Sequence, residues 1–190
     1  MLTFARGKEE VMSRNATIGY EEMEGEVAGR RLVAEAAGVA SEALAERLLA
    51  LGFRAETVIL LDVIPAVEVA WADGLVSGRE RKALVGIAAE RGVYMGSRAH
   101  GMLLAMLEEP PCAPYFAEAR DVLTLVVDAM PEMEANMRRA EVIDYCREVA
   151  EASGSLLARL GLGDATSEVE RAAIDRVTAR FGRRWWELYG

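Results

Sequence analysis

Histidine and cysteine are nearly missing from this chain, with one His and two Cys in 190 residues. A single imidazole, His100, excludes a His-rich metal centre. With no nucleophile or orienting acid beside it, it offers no general base either. Cys112 and Cys146 stand far apart in unlike surroundings, with no CxxC and no His partner, so neither a zinc site nor a disulfide framework is expected. They read as the reduced thiols of a cytoplasmic protein. A chain of this length needs no staple to be stable.

Positive charge is also in deficit. Lys and Arg number 22 against 31 Asp and Glu, a net charge of −9. Such a field repels phosphate backbones. The basic pairs Arg30-Arg31, Arg138-Arg139 and Arg183-Arg184 are too short for a nucleic-acid arm, so no nucleic-acid partner is expected. Long hydrophobic runs are absent too. The most apolar window, Thr57 to Ala72, is interrupted by Asp62, Pro65 and Glu68 and reads as a buried helix, not a membrane span. Met1 to Glu10 carries acids and no apolar stretch, so no leader is expected and the localisation expected is cytoplasmic. Gly-x-Ser-x-Gly, P-loop, HExxH and Glu-x-x-His patterns are all missing, and the chain is not expected to be an enzyme.

What is present is helical. Hydrophobic residues make up 52% of the chain, and Ala, Leu, Glu and Arg dominate over alternating β-branched patterns, which predicts an all-α fold. Residues 1–38 form an extension with one plausible helix, Glu21 to Ala37. Ser41 caps a helix with an apolar face of Leu44, Leu48, Leu49 and Leu51 that ends at Gly52. A helix over Ala55 to Ala72 is kinked or restarted at Pro65. Ser77-Gly78-Arg79-Glu80 matches a capping box opening a helix that stops at Gly92. A further helix, Ser97 to Leu107, is closed by Pro110, Pro111 and Pro114, the best junction between two halves. Helices over Tyr115 to Met130 and Glu132 to Ala152 follow. A second capping box, Ser167 to Glu170, opens a helix ending near Gly182, before an aromatic-basic tail over 183–190.

The two halves are related. With Gly74 laid on Gly154, Glu68, Val69, Ala70 and Ala72 fall on Glu148, Val149, Ala150 and Ala152. After one insertion between Gly154 and Ala165, Ser77, Glu80, Arg81, Ala83, Ala89 and Gly92 match Ser167, Glu170, Arg171, Ala173, Ala179 and Gly182. Self-similarity with a single gap implies two copies of one supersecondary unit. The expected fold is therefore one helical domain over 39–182, built from pseudo-symmetric helix–acidic turn–helix repeats over 41–109 and 115–182.

The segment Glu68-Val-Ala-Trp71-Ala-Asp73-Gly74-Leu-Val-Ser77-Gly-Arg-Glu80 resembles the tellurite-resistance TerB-like family. In that family a helix ends in Ala-Asp-Gly and is followed by a capped helix beginning with a Glu. The resemblance spans Ala40 to Gly182 and implies a duplicated all-helical domain in a stress-related setting. It also implies a divalent cation such as calcium, held by acidic residues at the turns. Asp73 and Glu80 match the pattern in the first copy. In the second, Glu170 matches Glu80, but Ser153 replaces the Asp. Glu68 and its counterpart Glu148 are the further candidates, and no organic cofactor is implied. Related domains occur in a J-domain co-chaperone, but its His-Pro-Asp motif is missing here.

Each acid also has a plain reading. Capping alone explains Glu80 and Glu170, a self-stabilised turn explains Asp73, and solvated helix positions explain Glu68 and Glu148. Met95, Met102 and Met106 share one helix face, as do Met130, Met133 and Met137. They form either core packing or an adaptable partner groove. The Trp185-Trp186 tail docks on its own domain or on a partner. Two functional readings follow: a TerB-like scaffold or sensor in which a cation clamps the acidic turn, or a metal-independent helical adaptor for protein partners, self-association included.

Overall fold

The computed structural model describes residues 25–153, 172–176 and 179. Every regular element among them is helical. Helix α1 occupies residues 25–37. It is followed by α2 (Glu42–Ala50), a 3₁₀ segment (Val58–Asp62), α3 (Ile64–Ala70), α4 (Gly78–Glu90), α5 (Arg98–Glu108), α6 (Ala113–Asp128) and α7 (Glu132–Ser153). Residues 172–176 are also helical.

Local chemistry sets most of these boundaries. Ser41 caps α2 by accepting from the Leu44 amide, and Ser97 caps α5 by accepting from the His100 amide. At the end of α4, Gly92 takes φ +89, where a side chain would be strained. The Val93 amide then reaches back to the Ala88 carbonyl at 2.9 Å, satisfying an end group. The segment before Ala72 is not one kinked helix. A 3₁₀ turn ends at Asp62 and α3 restarts with Pro65 in its first turn, where a missing amide hydrogen costs nothing. Pro114 differs from expectation in the same way: it does not close α5 but sits in the first turn of α6.

The short helix α3 is the centre of the fold. Ile64, Ala66, Val67, Val69 and Ala70 are all buried, so it is covered on nearly every side. Helices α6 and α7 pack on it, α7 also packs on α4, and α2 packs on α6. Val33 of α1 is fully buried, so α1 contributes to the same core. Ala173 and Ile174 reach that core as well. No helix among the described residues is long and apolar enough to cross a membrane.

Candidate functional site

The turn between α3 and α4 is built from its own residues. Gly74 takes φ +90, and the exposed Asp73 accepts from the Leu75 amide through Oδ1 at 3.0 Å, which makes an Asx turn. Three residues on, the reciprocal capping box is complete. The Ser77 amide donates to Glu80 Oε2 at 2.7 Å, and the Glu80 amide donates to Ser77 Oγ at 3.3 Å. Glu80 is buried. Glu68, on the last turns of α3, pairs with Arg120 of α6 where both side chains are largely covered. Glu148 is exposed on α7. Glu170, its capping box and the inserted loop lie outside the described residues, as does the aromatic tail.

The structure therefore gives Asp73, Glu80 and Glu68 separate internal tasks. Among the described residues, no group of three or more His, Cys, Asp or Glu side chains is placed to hold a metal ion. Trp71, part of the same sequence segment, acts in packing: its Nε1 donates to the Met106 carbonyl at 2.9 Å in the last turn of α5. Arg81 reaches the next carbonyl, that of Leu107, at 3.4 Å. Two side chains around the acidic turn thus close the open end of α5.

The most concentrated charge lies elsewhere, on Asp62. This carboxylate is 1% exposed and is gripped by two arginines. Arg138 of α7 sends Nε to Oδ1 and Oδ2 at 2.9 and 3.1 Å, and Nη2 to Oδ1 at 2.8 Å. Arg91, at the end of α4, binds Oδ2 through Nη2. Arg91 also donates from Nη1 to the Tyr145 hydroxyl at 3.2 Å and lies 3.5 Å from Glu141. Burial alone would lower the Arg91 pKa, but Asp62, Tyr145 and Glu141 outweigh it and raise it, keeping the guanidinium charged. One buried carboxylate thus ties the 3₁₀ segment, α4 and α7 together. An acid inside an apolar window was the sequence signal for it, since a buried carboxylate requires partners.

Above this hub lies an open groove of about 550 Å³. Ala36 and Ala37 of α1, Val58 and Ile59 of the 3₁₀ segment, and Met130 and Met137 line it. Arg91 and Arg138 line it too, Arg138 with Nη1 3.5 Å from the Met130 sulfur, together with Glu134 and Glu141 of α7. Two methionines on this helix are solvent-facing: Met133 is 74% exposed and Met137 60%. The other proposed methionine face divides. Met106 is buried and Met102 packs on the core, while Met95 lies out in the turn before α5 at 90% exposure.

No family model, no curated protein and no solved structure matches this chain.

Proposed function

We propose that this chain is a metal-independent helical adaptor, with the α1–α7 groove as its partner-binding surface. The observation that carries this reading is Met137, 60% exposed and lining with Met130 a groove whose two arginines, Arg91 and Arg138, are held by Asp62. Flexible thioethers left in water adapt to the side chains of a partner, whereas core methionines are covered. Arginines held in this way help the groove keep its shape before a partner arrives.

A TerB-like arrangement of two related units is part of this proposal. It is supported by the packing of α7, which carries Glu148 to Ala152, on α3, which carries the matching Glu68 to Ala70. The resemblance would place such an adaptor in a stress-related setting. The cation-sensor reading draws on the exposed Asp73 turn. The adaptor reading is favoured because Asp73, Glu80 and Glu68 already serve the fold.

A photo-crosslinking residue at Met137, with a control at the exposed Glu90 of α4, tests the proposal in cells. The expected result is one discrete crosslinked partner at position 137, none at 90, and the same yield with a chelator present. Equal labelling at both positions would refute the groove. A yield abolished by the chelator would return the argument to a cation at the acidic turn.

A further inference from the structure

We infer that the occupant of this groove is a cationic amphipathic helix of a partner protein. The inference rests on the adaptor reading and adds the chemistry of what binds.

The strip that α7 and its approach offer is regular. Glu134, Met137 and Glu141, at spacings of three and four, share one face of α7, and Met130 lines the groove from the turn before it. Apolar and acidic groups therefore alternate along the groove. Glu134 and Glu141 are two turns apart, about 10 Å along the axis. Both are exposed. Ala36 and Ala37 of α1 line the groove with short side chains, leaving room for a helix backbone to approach.

The charge balance selects the sign of the partner. Arg91 and Arg138 face the groove, but Asp62 binds both, and Glu141 stands near Arg91 as well. The lining itself holds two cations, Arg91 and Arg138, and two anions, Glu134 and Glu141; the buried Asp62, bound by both arginines, adds a third negative charge and leaves the cluster net acidic. An incoming carboxylate or phosphate would have to displace Asp62 from its arginines and would meet two exposed glutamates. A lysine or arginine flanking an apolar stripe meets those glutamates directly, and the net charge of −9 draws it in from a distance. An amphipathic helix reads a groove through anchors at i, i+3, i+4 and i+7, the spacing that α7 itself presents. A second copy of this acidic chain is a poorer fit by the same rule.

The test uses the full chain and two labelled helical peptides of about five turns, one of leucine and lysine, the other of leucine and glutamate. Their apolar faces are identical, and binding is read by fluorescence anisotropy. The basic peptide is expected to bind at least about tenfold tighter than the acidic one, since close charge pairs at an interface reach that size. Glu134→Lys with Glu141→Lys should weaken the basic peptide by about the same factor and admit the acidic one. Met137→Ser should weaken the basic peptide without any change in charge. All three positions are exposed, so circular dichroism should show unaltered helix. Equal binding of both peptides, lost in Met137→Ser, would keep the groove and overturn the charge selection. Binding of the basic peptide that no variant changes would be general attraction to an acidic surface and would overturn the inference. Failure of both peptides to bind would overturn the inference and count against the groove itself.

Discussion

Asp62 shows what a single residue does when its charge is placed inside a core. Removing the carboxylate from water is costly, and two guanidiniums offset that cost only while it is present. Asp62→Asn would leave Arg91 and Arg138, each about one-fifth exposed, facing one another without their shared anion. A loss of about 3 kcal/mol is expected, because breaking a buried pair leaves its partners uncompensated. Urea unfolding should show the midpoint falling with an unchanged slope. In the sequence Asp62 was visible only as an interruption of an apolar window. Its partners lie 29 and 76 residues away, so no local pattern announced the cluster. The cysteines were easier to read as free thiols, but their reactivity was not. Burial, helped by Glu68 and opposed by Arg147, pushes the Cys146 thiol up beyond ordinary titration, while Cys112 is exposed. A thiol reagent near pH 8 should therefore label Cys112 in the native protein, and Cys146 only after unfolding. Rapid native labelling of both would contradict the burial.

At the scale of elements, the best-read feature was the start of α4. Ser77 and Glu80 are three residues apart, so their reciprocal bonds are a local matter and the sequence pattern is sufficient. Ser77→Ala should lower stability by about 1 kcal/mol, and Ser77→Gly by only a few tenths, because glycine suits the cap conformation without supplying the oxygen. Thermal unfolding of the pair checks this, and equal losses would show that the lost hydroxyl alone, not the cap conformation, sets the cost. The chain before α4 was harder to read. Pro65 announced a kink or a restart with equal force; the buried Asp62 and the α6 and α7 contacts on α3 select the restart. Pro114 misled for the complementary reason, since a proline marks a helix start as readily as an end. The groove was legible only in part. The Met130, Met133 and Met137 spacing was there to see, but the groove that Met130 and Met137 line is completed by α1 and the 3₁₀ segment, far away in sequence.

For the whole molecule, the surplus of acid makes any response to calcium ambiguous unless ionic strength is controlled. A net charge of −9 repels itself in the compact state, so any added salt that screens it raises stability. Divalent ions do this efficiently without occupying a site. Occupation of a site has a different signature: stabilisation follows the logarithm of free ligand above its dissociation constant and vanishes with the ligating residue. The carboxylates nearest the acidic turn are already engaged, Asp73 with Leu75, Glu80 with Ser77 and Glu68 with Arg120. The adaptor reading therefore predicts that calcium and sodium chloride, matched for ionic strength, give the same unfolding temperature to within about 1 °C, well under the shift from 1 kcal/mol of added stability. A chelator should change nothing. Asp73→Ala should lose only the small contribution of its turn, and by the same amount in both salts. A calcium-specific rise that saturates and disappears in Asp73→Ala would instead establish a cation at the first acidic turn, and the groove would then be the surface that such a cation controls.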